Sequence, residues 1–105
     1  MDFIKLKIKM THFHILYEHT PENCMGIPNP DKESMELWKQ IEPNAKKNNV
    51  KIEFFMMNPT EHKIFMLLEA QDYVDIEKTI GQCKKTGVFS ITPVIDWSVG
   101  RKLNE

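Results

Sequence analysis

The chain has four strand-length stretches rich in apolar residues, with two helix-length stretches between them. Ile4, Leu6, Ile8 and Met10 alternate with Lys5, Lys7 and Lys9. That is the period of a strand with one wet face, so residues 1–10 read as an N-terminal arm or an extension of the first strand. Thr11 to His19, THFHILYEH, is rich in aromatic and β-branched residues and reads as the first strand. Thr20 to Pro30 is a loop, because Pro21, Gly26, Pro28 and Pro30 interrupt regular structure. Asp31 to Asn49 reads as a helix capped by Asp31 or Ser34, with Met35, Trp38, Ile41 and Ala45 on its inner face. Pro43 should kink or break it, since proline in a helix interior costs ~3 kcal/mol. Val50 to Met57 and Lys63 to Ala70 are the second and third strands, joined at Asn58-Pro59-Thr60. Asp72 should cap a second helix that turns Tyr73, Ile76, Ile80 and Cys83 inward. Lys84 and Lys85 suit the negative end of its dipole, and Gly87 suits its end. Val88 to Ile95 is the fourth strand, with Pro93 favouring an edge. The remaining residues form a tail expected to pack through Trp97, at the seam with a second copy of the chain.

The element order is therefore βαββαβ, an α+β ferredoxin-like arrangement. Right-handed crossovers give a four-stranded antiparallel sheet of order 4-1-3-2 with two helices on one face. Residues 11–105 form a single domain. Register follows from matching patterns: pairing Glu18 with Lys63 also pairs Tyr17 with Ile64, Ile15 with Met66, Phe13 with Leu68 and His12 with Glu69. Both faces of these strands carry large apolar residues, so the helix-free face needs a cover. A second copy of the chain is the economical one, and a homodimer is expected.

Composition narrows the class. The 105 residues are 41% apolar and 28% charged, with a net charge of -1, as in ordinary globular domains. Near-neutral charge argues against nucleic acid as a partner. Two cysteines do not make a secreted disulfide framework. The lysines among the first ten residues interrupt any signal-peptide core. No stretch approaches the ~20 apolar residues of a spanning helix. A cytoplasmic protein with no membrane partner is expected.

FHILYEHTPENC, NPTEHKIFMLLEAQDYVDI and ITPV together resemble an uncharacterised prokaryotic family of dimeric α+β barrel proteins. The resemblance runs from about Met10 to Ile95, and HTPENC and NPTEH are its most specific parts. It implies the ferredoxin-like fold and a homodimer. The wider superfamily holds cofactor-independent monooxygenases, isomerases, haem-handling enzymes and proteins without known chemistry, so the fold alone does not name an activity. Pro43 and the lysine-rich start depart from the family pattern.

Candidate chemistry gathers at one end of the predicted sheet. The first loop, the second hairpin and the turn before the last strand bring together His19, Glu22, Cys24, Met25, Glu61, His62 and Cys83. In the register above His19 faces His62. His19, Cys24 and His62 are a possible transition-metal set, with Glu22, Glu61 or Cys83 as a fourth donor. Imidazole and thiolate suit zinc or copper, and Met25 beside Cys24 tilts the choice toward Cu(I). The alternative is an ordinary cross-strand histidine pair, with Cys24 a small loop residue packed under Pro21.

His14 shares a side of the first strand with His12 and Leu16. It is a weak candidate general base for a cofactor-independent oxygenation or isomerisation inside a barrel. A core or rim histidine with hydrogen-bonded nitrogens is the preferred account of it. His12 beside Glu69 reads as a surface pair. The Lys5, Lys7 and Lys9 row reads as an edge that discourages strand pairing. Seven methionines read as core filler, and no phosphate, dinucleotide, zincin or serine-hydrolase motif is present. Three functions remain: a metal-ion or small-molecule binding protein, a cofactor-independent enzyme, and a non-catalytic regulatory or scaffold module.

Overall fold

The computed structural model describes residues 10–20 and 32–102. The N-terminal arm, Asp31 and the loop segment with Pro21, Glu22, Cys24 and Met25 lie outside the described residues. The elements are β1 (Thr11–Glu18), α1 (Lys32–Trp38), α2 (Ile41–Lys47), β2 (Lys51–Asn58), β3 (Lys63–Ala70), α3 (Tyr73–Ile80), a 3-10 turn (Gly81–Lys85), β4 (Val88–Val94) and α4 (Trp97–Lys102). The strands form one antiparallel sheet in the order β2-β3-β1-β4. This is a ferredoxin-like α+β fold.

The register of β1 on β3 matches the sequence expectation pair for pair, from His12 opposite Glu69 to Glu18 opposite Lys63. Side chains alternate across a strand. Phe13, Ile15 and Tyr17 therefore meet Leu68, Met66 and Ile64 on one face, where all six are buried. Trp38, Ile41, Ala45, Ile76, Ile80 and Cys83 close this core from the helical side. The other face carries Leu16, Phe54, Phe65 and Leu67, all half-buried, and Met56, which is 66% exposed.

The first predicted helix is two helices. The break falls at Lys39–Gln40, just ahead of Pro43. A helical Pro43 would leave the Lys39 carbonyl without its donor and clash with it. Restarting the helix at Ile41 puts Pro43 in a first turn, where the N–H is not needed. Asn49, at φ 57°, then ends α2, with the Val50 N–H donating to the Ala45 carbonyl at 2.8 Å, a left-handed terminator. Ser34 sits inside α1 and is buried, so it is not the cap.

Asp72 does cap α3, its side chain accepting from the Val74 N–H at 3.1 Å. One inward expectation fails. Tyr73 is 45% exposed, its hydroxyl donating to Glu77 and its ring packing T-shaped with Phe13. Trp97, expected at the seam with a second subunit, is 80% exposed on α4. Pro93 lies on edge strand β4, as its missing donor requires. Gly87 is needed where it is, since a Cβ there would lie 2.4 Å from the Glu18 carbonyl oxygen.

Candidate functional site

β1 and β3 bring His19 and His62 together. The His19 N–H donates to the His62 carbonyl at 3.2 Å, which extends the ladder one step beyond Glu18 and Lys63. The connection from β2 to β3 fixes His62. Asn58 Oδ1 accepts from the Glu61 N–H at 3.1 Å, and the His62 N–H donates to the Pro59 carbonyl at 3.2 Å. His62 itself has φ 57°. A left-handed residue other than glycine carries ~1–2 kcal/mol of strain, although histidine tolerates that region better than most residues.

The two imidazoles lie with centroids 5.3 Å apart and planes at 66°. Tyr17 forms the floor, its ring 5.2 Å from His19. Nδ1 and Nε2 of His19 and Nδ1 of His62 are buried and have no hydrogen-bond partner among the described residues. Buried polar atoms are nearly always paired, so three orphaned ring nitrogens at one spot are unusual. Burial, and then the neighbouring His62, lowers the pKa of His19 below its ordinary 6.5. Near neutral pH His19 is therefore uncharged, with a lone pair to offer.

The other expected donors divide. Glu22 and Cys24 lie outside the described residues. Cys83 is buried in the core. Its thiol donates to the Leu37 carbonyl at 3.1 Å, and burial pushes its pKa up to about 11. Glu61 accepts from Asn58 Nδ2 at 3.1 Å. Among the described residues neither forms a group of three with the two histidines in which all donor atoms lie within 4.8 Å.

Behind Tyr17 lies a buried polar hub. Thr86 Oγ1 donates to the Cys83 carbonyl at 2.7 Å and accepts from Trp38 Nε1 at 3.1 Å. Its single hydrogen being used, it also accepts from the Tyr17 hydroxyl at 2.8 Å, which lies 3.0 Å from the Thr86 carbonyl as well. The hub ties α1 and the turn before β4 to the ring under His19.

His14 projects on the helix-free face, opposite Leu67 and Thr92, its ring edge-to-face with Phe54 at 6.4 Å. A cleft of about 180 Å³ on that face is walled by His12, Leu67, Val94, Ile95 and Asp96, and not by His14. His12 does pair with Glu69, Nε2 to Oε2 at 3.3 Å. The sequence reading missed Glu53. A register shift between Ile52 and Phe54 brings Glu53 beside them, with all three donor atoms within 4.8 Å of one another. Alternation alone carries no signal for such a bulge.

Residues 27–104 match the family model described as "Domain of unknown function (DUF3303)". The chain belongs to this family. His62 lies inside the matched region, and His12, His14, His19 and Cys24 precede it. No curated protein matches the chain. Among the described residues no helix is long and apolar enough to cross a membrane.

Proposed function

We propose that this DUF3303 protein binds a transition-metal ion through His19 and His62, with Cys24 as third donor. The supporting observation is the set of three buried ring nitrogens without partners among the described residues. The ring spacing fits. Two imidazoles sharing a tetrahedral zinc, with metal–nitrogen bonds of ~2.0–2.1 Å, hold their centroids ~5.2 Å apart, against 5.3 Å here. An edge-to-face ring pair has similar spacing, but it does not account for nitrogens sealed from water. Two imidazoles and a thiolate would leave one position open, and they suit zinc or copper.

The test is zinc binding to the chelator-stripped protein, measured by calorimetry. The expected result is tight binding that weakens at least ~10-fold in His19→Ala, His62→Ala and Cys24→Ser. Unchanged zinc affinity after His19→Ala plus His62→Ala would overturn the proposal.

The resemblance to the dimeric α+β barrel superfamily, and the stripe of Leu16, Phe54, Met56, Phe65 and Leu67, support a homodimer closed over the two helix-free faces. The metal pair belongs to the helical side of the sheet, so it stays accessible when those faces close.

A further inference from the structure

We propose that His12, Glu53 and Glu69 form a second cation site, on the helix-free face, for a hard or borderline divalent ion such as Mn²⁺ or Zn²⁺. One imidazole and two carboxylates are the donor set such ions take. His12 Nε2 and Glu69 Oε2 are 3.3 Å apart. Donors held ~2.1 Å from one ion lie ~3.0–3.4 Å apart, so this pair already has the spacing of neighbouring ligands. The Glu53 carboxylate lies within 4.8 Å of both, a gap that a side-chain rotation closes. The bulge in β2 is what delivers it: Lys51 faces Glu69, Ile52 faces Leu68, and Phe54 faces Leu67, leaving Glu53 as the extra residue.

The cleft of about 180 Å³ shares His12 as a wall and continues over Leu67, Val94 and Ile95 to the Asp96 carboxylate. Leu67 also belongs to the stripe proposed to close the homodimer, so dimerisation would enclose this cleft.

Lys51 is the competitor. Its Nζ lies 3.2 Å from Glu53 Oε1, with the lysine side chain 68% exposed. An exposed pair of this kind contributes little to stability, so a divalent ion can displace it. The site is at the opposite end of β1 from His19 and on the opposite face of the sheet. It stands or falls independently of the histidine pair.

The experiment titrates the chelator-stripped full chain with Mn²⁺ alone and follows free Mn²⁺ by electron paramagnetic resonance, with circular dichroism on every variant. The wild type and the His19→Ala plus His62→Ala variant should bind Mn²⁺ equally. Glu69→Gln and Glu53→Gln should each weaken binding at least ~10-fold. Lys51→Met should tighten it, a gain that a misfolded variant could not give. No saturable binding below about 1 mM Mn²⁺, affinity indifferent to Glu69→Gln, no gain from Lys51→Met, or binding lost with the His19 and His62 pair would each overturn the site.

Discussion

Replacing Thr86 with valine keeps the shape of the side chain and deletes one hydroxyl, which isolates the hub beneath the histidine pair. Thr86 Oγ1 takes part in three hydrogen bonds: to the Cys83 carbonyl, from Trp38 Nε1 and from the Tyr17 hydroxyl. The substitution removes all three. The Tyr17 hydroxyl keeps the Thr86 carbonyl at 3.0 Å, so its donor is not stranded. Trp38 Nε1 loses this acceptor in a residue only 8% exposed. A buried N–H left unsatisfied costs about 1–3 kcal/mol, and each neutral hydrogen bond lost about 0.5–1.5. The added methyl returns roughly 0.8 kcal/mol of burial. Thr86→Val should therefore destabilise the domain by about 2–4 kcal/mol. Tyr17→Phe leaves both Trp38 and Cys83 paired with Thr86 and should cost only about 1–2 kcal/mol. The double variant should cost less than the sum, because the Tyr17–Thr86 bond is shared. Urea titration with tryptophan fluorescence reads these values, since Trp38 is buried while Trp97 stays 80% exposed. A Thr86→Val cost under about 1 kcal/mol, or a larger cost for Tyr17→Phe, would show that Thr86 is not the centre of the hub.

Two further outcomes are expected. Because burial and His62 lower the pKa of His19 below 6.5, the unfolded chain takes up a proton at this residue before the folded one does. Its contribution to stability is thus complete above pH 6.5 and falls as pH drops toward the lowered folded value. In metal-free buffer, the difference in urea midpoint between the wild type and His19→Gln should shrink from pH 8 to pH 5. A difference constant across that range would show that His19 does not carry this linkage. For the homodimer, Leu67→Lys on the helix-free face should give monomers in sedimentation velocity where the wild type sediments as a dimer. A wild type that sediments as a monomer at all concentrations would remove the second subunit from the proposal.

Much of the fold was written in local pattern. The alternation of Phe13, Ile15 and Tyr17, matched by Ile64, Met66 and Leu68, admits one register, because a slip by one residue would turn every apolar side chain to the wrong face. That register alone places His19 beside His62. Pro43 announced a break but not its position, which depends on the carbonyl four residues earlier rather than on Pro43 itself. Tyr73 lies further out than helical spacing predicts, because spacing says which residues share a face. It does not say whether a polar partner such as Glu77 holds one of them at the rim.

Sequence alone determined the strand order and the opposed histidines, since matching apolar patterns and crossover handedness fix both. Tertiary structure decided which candidate donors are chemically available. Cys83 shares the end of the sheet with the histidines, yet packing against α1 turns its thiol to the Leu37 carbonyl and burial holds it protonated. Glu53 carries no signal in the hydrophobic pattern, yet one extra residue in β2 carries it to His12 and Glu69. Donor convergence depends on where side chains from distant segments end in space, and a bulge or a buried carbonyl changes that without changing the hydrophobic pattern.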